Sequence, residues 1–261
     1  MNNYETVILA GGRAPWLKAI AGTDIRTLAK VGDKHLLTYL MDSLHASGRV
    51  DKIYVASDKA ALAELEAAGL TGFTPVCTDN MSLAEASLTA ANVIEAEQPE
   101  NHRIFFVCDD IPMLSPAAIN DFLDQCEAAP EGAVFFAAIP KEDCLAQYPE
   151  GKRTYVHLAD GRFTGGNVMI NWYPAIPRCQ EIAHFLFVHR KHPFKLVTVL
   201  GWGFFLKALV GRLTVQDIEK RCTELLKFNC KAIITRHACV GMDMDKPEDW
   251  EVVKKQLTRQ G

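Results

Sequence analysis

The sequence predicts an α/β protein: a mostly parallel, doubly wound sheet with a small antiparallel hairpin and a helical insertion. Two observations predict it. Short runs that are apolar on both faces alternate with helix-period segments at roughly 20–30-residue spacing through the first half of the chain. The second half then changes character, with a hairpin signal at Asp160-Gly161 followed by a long helical stretch.

Tyr4–Ala10 is an apolar run ending in Gly11-Gly12, which reads as a buried strand feeding a glycine loop. Helical periodicity covers Leu36–His45, with Gly48 as a stop. Lys52–Ala56 is a second strand, and Ser57 or Asp58 can cap the alanine-rich helix that follows. Gly72–Cys77 is a third strand. Ser82 with Glu85 forms a capping-box pattern for a helix to Ala96. Arg103–Cys108 is a fourth, strongly apolar strand, and Ser115-Pro116 opens a helix through Ala128. Ala133–Ala137 is a fifth strand. Thr154–Leu158 and Phe163–Ile170 flank the hairpin turn, and Pro174–Leu226 is mostly helical with Thr214 as a cap. Cys230–Thr235 is a strand, and Pro247–Leu257 is a closing helix. The 261 residues suit one α/β domain. Residues 1–130 and 131–261 are expected to form its two halves, with the helical insertion at about 172–228.

A formal net charge of −4 gives no global basic field for a nucleic acid backbone, so a bound nucleotide is expected to be a small molecule. The eight cysteines include no C-x-x-C pair and several lie in apolar runs, which points to reduced, buried thiols and a cytoplasmic protein. The polar start, Met1–Thr6, shows no signal peptide. Leu196–Val210, the longest apolar stretch, is too short to span a bilayer. With the basic residues of His189–Arg212 it could meet an anionic membrane or a lipid-linked acceptor. Core or a homodimer contact is the commoner explanation of such a run, and the sequence leaves those two open. His184, His189 and His192 have no accompanying carboxylate pattern and are not read as metal ligands.

Ligands of a doubly wound sheet bind beyond the carboxyl ends of its strands. That rule gathers Gly11-Gly12, Thr78–Ser82 and Asp109-Asp110, which are distant in sequence. In Leu9-Ala10-Gly11-Gly12-Arg13, glycine lets backbone amides approach a phosphate and arginine supplies countercharge. The segment fits neither G-x-x-x-x-G-K-S/T nor G-x-G-x-x-G. Asp109-Asp110 ends a buried strand, a natural place for carboxylates that hold magnesium on phosphates. Asp243 and Asp245 alternate along what reads as a strand and so share a face, although Asp245 could instead cap the last helix. Glu248 and Asp249 read as first-turn charges.

Leu9–Gly12 and Leu28–Leu37 resemble the two ends of the L-A-G-G … P-K-x-L-x-x-V-x-G-K-P-L-L signature. This signature belongs to nucleotidyltransferases related to molybdenum-cofactor guanylyltransferase and to the sugar-phosphate and methylerythritol cytidylyltransferases. Asp110–Leu114 resembles the family's D-x-P-L/M-L, and Asp243–Asp249 its D-I-D-T-P-E-D. The chain departs from the pattern where Arg13 follows the glycines at once and where Ile25-Arg26 replaces Pro-Lys.

The resemblance implies a Rossmann-like sheet of the GT-A type and a nucleotidyltransferase. It would transfer a nucleoside monophosphate from GTP or CTP to a small phosphorylated acceptor, with release of pyrophosphate. It implies Mg2+ on Asp110 and Asp243, with Asp245 second, and Arg13, Lys18 and Arg26 on the triphosphate. Leu9, Ala10, Gly11, Gly12, Asn80, Ser82 and Asp109 would bind the nucleotide, and Arg153, Tyr155, Gly166 and Asn167 would face the acceptor. Two alternatives remain: a GT-A glycosyltransferase using a nucleotide sugar, and a nucleotide-binding protein without catalysis.

Overall fold

The computed structural model describes residues 2–99, 103–189 and 193–259. The first half runs β1 (Tyr4–Leu9), α1 (Leu17–Ala21), β2 (Lys30–Val31), β3 (Lys34–His35), α2 (Leu36–Ala46), β4 (Val50–Ser57), α3 (Lys59–Ala67), β5 (Thr74–Cys77), α4 (Leu83–Glu97), β6 (Arg103–Cys108) and α5 (Pro116–Glu127). The second half runs β7 (Val134–Pro140), α6 (Lys141–Gln147), β8 (Val156–Leu158), β9 (Gly161–Trp172), α7 (Ile176–His189), α8 (Pro193–Leu200), α9 (Trp202–Leu209), α10 (Val215–Leu226), β10 (Cys230–Ile234) and α11 (Pro247–Thr258).

Eight strands form one sheet in the order β10-β7-β9-β6-β1-β4-β5, with β8 paired to β9. Among these strands only β9 runs against the others. The expected hairpin does form at Asp160-Gly161, but its long second arm is an interior strand of the main sheet, between β6 and β7. A separate two-stranded ladder, β2-β3, closes on Gly32 at φ +61° and was not anticipated from sequence, nor were the short helices α1 and α6.

The caps expected at Asp58, Ser82, Ser115 and Thr214 are in place. Asp58 accepts from the Ala61 amide, and Ser115 from that of Ala118. Ser82–Glu85 and Thr214–Asp217 are reciprocal capping boxes. One face of the sheet presents Val7, Leu9, Tyr54, Ile104 and Phe106 to α4 and the start of α7. The opposite face presents Ile8, Val55, Phe105, Val107 and Ile170 to a core that includes side chains of α2, α5 and α11. With both faces covered, polar groups reach solvent at the strand ends, and loops there carry the charged residues.

The chain from Met242 to Lys246 is irregular and follows a 3-10 turn over Ala238–Gly241, so the strand expected there is absent. Asp245 is also not the cap of α11. Lys246 occupies that position, and the Asp249 carboxylate accepts from the amides of both Asp245 (3.1 Å) and Lys246 (2.9 Å).

Candidate active site

The glycine loop and the paired aspartates leave adjacent strands. Register pairs Leu9 with Cys108 at the carboxyl ends of β1 and β6, and the Asp109 amide donates to the Leu9 carbonyl at 3.2 Å. The third segment is tied in by the Met244 amide, which donates to the Asp110 carbonyl at 2.8 Å. Met242 and Met244 are fully buried, so Asp243 and Asp245 between and beyond them are turned outward. Alternation thus brings both carboxylates to the site without a strand.

Arg26 stands at the centre. A 3-10 turn over Arg26–Leu28 carries it, and its guanidinium lies 3.5 Å from where a side chain on Gly12 would begin. It donates to Asp109 at 2.8 Å and pairs more distantly with Asp110 (3.9 Å) and Asp245 (3.8 Å). One cation thus faces three carboxylates, and its own side chain is only 10% exposed. The balance is incomplete: Arg26 Nε, Asp109 Oδ2 and Asp110 Oδ1 are buried without hydrogen-bond partners.

The titration directions express the same deficit. Burial pushes Asp109 up to about 6 against the pull of Arg26. Burial, then the neighbouring Asp109 charge, pushes Asp110 up to about 7, again opposed by Arg26. Burial also raises Asp243, with Arg153 opposing and Asp245 adding to the rise.

These residues fit a hard divalent cation. An ion near Asp110 Oδ1 would supply the missing partner and relieve the repulsion among the carboxylates. Among the described residues no three metal-ligating side chains close on one point. Magnesium held jointly with substrate phosphates needs only one or two protein carboxylates, so this is no obstacle.

Residues 6–196 match the MobA-like NTP transferase domain. The chain belongs to this family. A hypothetical transferase from Thermus thermophilus is similar over 95% of this chain and 99% of its own, at 28% identity and a TM-score of 0.77. CMP:2-keto-3-deoxy-manno-octonic acid synthetase, solved with CTP, shares the fold over 100% of both chains at 11% identity and a TM-score of 0.59. Rv0371c of Mycobacterium tuberculosis, solved with manganese, shares it over 97% of this chain and 99% of its own at 18% identity and a TM-score of 0.50. No curated protein matches the sequence.

Within this transferase the other sequence-selected residues are placed unevenly. Arg13 follows the glycine loop directly, but its guanidinium is held by Asp58 at 2.9 Å and Asp24 at 3.2 Å. Although burial opposes it, the Ala61 amide and then Arg13 hold Asp58 below the usual carboxylate range. Lys18 is exposed on α1 and lines a groove with Lys30, Trp250 and Lys254, whose lining includes none of the central carboxylates. Asn80 is exposed with φ +57°, in the turn between β5 and α4. Ser82, the α4 cap, edges a mostly apolar cavity of about 510 Å3 floored by Met169 and Asn171 of β9.

The residues expected to face an acceptor divide in two. Arg153 is nearly buried and binds the acidic segment itself: Nε lies 3.0 Å from Asp243, a second nitrogen 3.3 Å from Asp249, and a third donates to the Asp243 carbonyl. It positions Asp243 rather than projecting from the site. Gly166 is explained by packing, because a Cβ there would lie 2.7 Å from Ala137 and 2.8 Å from Val240. At Gly165, by contrast, a Cβ would meet nothing within 4 Å. The Tyr155 hydroxyl is buried without a hydrogen-bond partner, and its ring has the Lys141 ammonium 5.5 Å from its centroid. Asn167 precedes the Val168–Val107 pair, which places it level with the carboxyl end of β6.

Sequence reasoning missed Asp58 and Asp24 as the anchors of Arg13, and it underread Asp249. Asp249 is buried, pairs with Arg153 and caps the two amides before α11. Its burial was the missing signal, and an i, i+3 spacing from Lys246 gives no hint of it. Among the described residues His184 and His189 join no metal cluster, and His189 Nδ1 lies 2.9 Å from the Phe185 carbonyl oxygen. His192 lies outside the described residues.

Proposed function

We propose that this chain transfers a nucleoside monophosphate from a nucleoside triphosphate, GTP or CTP, to a small phosphorylated acceptor, releasing pyrophosphate. The observation that carries the reading is the unpartnered, buried Asp110 carboxylate beside Arg26, whose guanidinium lies against Gly12. A site with one cation among several carboxylates is completed by a metal–triphosphate complex, which brings both the missing positive charge and oxygens for Arg26.

Asp110 and Asp243, with Asp245 behind them, would hold Mg2+, which supplies charge neutralisation at the α-phosphate. The family and the manganese-bound relative in fold support a divalent ion. The amides of Ala10–Gly12 approach the phosphates, and Arg26 turns from Asp109 and Asp245 toward the β- and γ-phosphates. Arg13 and Lys18 would join from the rim, Arg13 by exchanging Asp58 for phosphate. Arg153 fixes Asp243 through two of its nitrogens and so sets the carboxylate in place before the substrate arrives. Asn80 and Ser82 would border base and ribose, and Gly165 and Asn167 are the β9 positions open to an acceptor. The acceptor's phosphate oxygen attacks the α-phosphorus in line and pyrophosphate leaves. No protein nucleophile is required, and catalysis rests on positioning and charge. The two halves of the chain, 1–130 and 131–261, then divide nucleotide from acceptor across β6 and β9.

The test is a pyrophosphate-release screen of the four common triphosphates with magnesium or manganese against pooled sugar phosphates, alcohol phosphates and pterins. Release that requires both a triphosphate and an acceptor, and that Asp110→Ala abolishes, is the expected outcome. Turnover of a nucleotide sugar without pyrophosphate release would replace the reading with glycosyl transfer. Tight triphosphate binding with no turnover across the panel would replace it with a non-catalytic nucleotide-binding role.

A further inference from the structure

The helix α9 carries apolar side chains at helical spacing on its outer face. Trp202, Phe205, Leu206 and Leu209 are 65%, 39%, 53% and 73% exposed, and Val210 just beyond is 63% exposed. Positions i, i+3, i+4 and i+7 form one stripe, and a stripe of this kind ordinarily faces a core. Here no residue of α9 is buried. The helix is nevertheless anchored: Lys207 pairs with Asp217 of α10 at 2.6 Å, and Arg221 of α10 donates to the Val199 carbonyl at the end of α8. Those bonds keep the stripe turned outward.

Along the sequence the charges around α9 are of one sign, and the carboxylates beside it belong to α10: Asp217, paired with Lys207, and Glu224, paired with Arg221. From residue 182 to 216 the sequence contains Arg190, Lys191, Lys195, Lys207 and Arg212 and no aspartate or glutamate, in a protein of net charge −4. Lys195 and Arg212 are exposed on either side of α9. No helix among the described residues is long and apolar enough to cross a membrane.

We infer that α9 and its cationic flanks dock on an anionic phospholipid surface. The side chains sink into the headgroup boundary while Lys195 and Arg212 meet lipid phosphates. Charge decides between this occupant and a second copy of the chain. A two-fold contact sets the patch against itself and brings Lys195 and Arg212 toward the same cations of the other copy, while Asp217 and Glu224 are already engaged by Lys207 and Arg221, whereas an anionic bilayer is complementary to both features of the face. The inference concerns a different surface from the candidate active site and stands whether or not the transfer reaction is as proposed.

The test is co-sedimentation of the full chain with phosphatidylcholine vesicles made with and without phosphatidylglycerol. Expected is partition onto the phosphatidylglycerol vesicles, weakened by salt, with a blue shift of tryptophan emission that Trp202→Phe removes. Leu206→Ser with Leu209→Ser, and separately Lys195→Glu with Arg212→Glu, should each lower the partition at least about tenfold. All four side chains are solvent-exposed, so unchanged thermal unfolding is expected and guards against a folding artefact. Equal partition onto both vesicle types, partition insensitive to both double variants, or a dimer in solution that Leu206→Ser with Leu209→Ser dissociates, would each overturn the inference.

Discussion

Two buried arginines sit at opposite ends of the same sheet and are treated differently. Arg49 precedes β4, at the amino ends of the parallel strands, and only 1% of its side chain is exposed. Its donors are engaged: Nε on the Asn2 carbonyl at 3.0 Å, one terminal nitrogen on Asp124 at 2.7 Å and the other on Glu127 at 2.6 Å. Arg26 lies at the carboxyl ends with a similarly covered guanidinium, yet its Nε and one oxygen on each of Asp109 and Asp110 remain unpartnered. Arg49 locks the chain start, β4 and α5 together and asks for nothing more. On the proposed reading, Arg26 belongs to an arrangement that a metal–triphosphate complex would complete. Burial of a charge therefore does not separate the two ends, whereas the unpartnered atoms shared by Arg26, Asp109 and Asp110 in one cluster do.

The sharpest way to break the comparison is to remove one member from each end. Asp110→Ala should lower pyrophosphate-releasing turnover by at least about 100-fold, the scale on which electrostatic groups in a transition state act, while leaving the folded protein intact. Arg49→Met should do the reverse. It forfeits charged hydrogen bonds whose partners can turn to water, a loss of about 1–3 kcal/mol, read as a drop in Tm of several degrees, with turnover per folded molecule unchanged. Steady-state kinetics beside thermal unfolding checks both. A stability loss in Asp110→Ala that matches that of Arg49→Met would erase the distinction.

How far the sequence revealed these two ends follows from what each depends on. Strands β1, β4 and β6 were legible because their residues are apolar on both faces, and the caps Asp58, Ser82, Ser115 and Thr214 because local hydrogen bonds suffice to define them. The meeting of Gly12 with Asp109 and Asp110 was legible through the rule for parallel sheets. The interior place of β9 was not, since a hairpin signal fixes a turn and says nothing about which sheet takes up its arms. Nor was the lock on Arg153, which depends on the burial of Asp249, a residue whose position in a first helical turn makes solvent the simpler expectation. Gly166, which the resemblance sets against the acceptor, also has a packing reason that sequence does not show, since a Cβ there would meet Ala137 and Val240. Long-range pairing is the common element in these failures.

A smaller effect sharpens the meaning of the unpartnered oxygens. Asp110 is raised from 3.8 to about 7 in the folded protein. Between those values the native state holds more protons than the unfolded state, so this residue lowers stability as pH rises and its full penalty is present above pH 7. Asp110→Asn removes the penalty. In metal-free protein it should raise Tm by about 2–4 °C at pH 8, roughly 1 kcal/mol, and by less at pH 5. In the parent chain, saturating magnesium or manganese with a triphosphate should give the larger stabilisation, about 3 kcal/mol at a hundredfold excess over Kd, and the variant should lose most of it. An Asp110→Asn variant no more stable than the parent at pH 8 would mean that the carboxylate is already compensated.

The least effect is expected at the rim, where one terminal nitrogen of Arg13 is bound by Asp58 and the other by Asp24, in partial solvent. If Arg13 exchanges Asp58 for phosphate on substrate binding, Asp58→Asn should release it: the amide oxygen can still accept from Ala61 and keep the α3 cap, while the competing charge is gone. An exposed ion pair of this kind is worth about 0.2–1 kcal/mol, so the triphosphate KM should fall by no more than about fivefold, with little change in kcat. The direction carries the argument. Arg13→Ala should raise KM, and in the Arg13→Ala background Asp58→Asn should do nothing, because it acts only through the arginine it frees. If Asp58→Asn instead raised KM in both backgrounds, Asp58 would be orienting the α3 terminus, Arg13 would be a second structural arginine like Arg49, and the phosphates would depend on Arg26, Lys18 and the glycine amides.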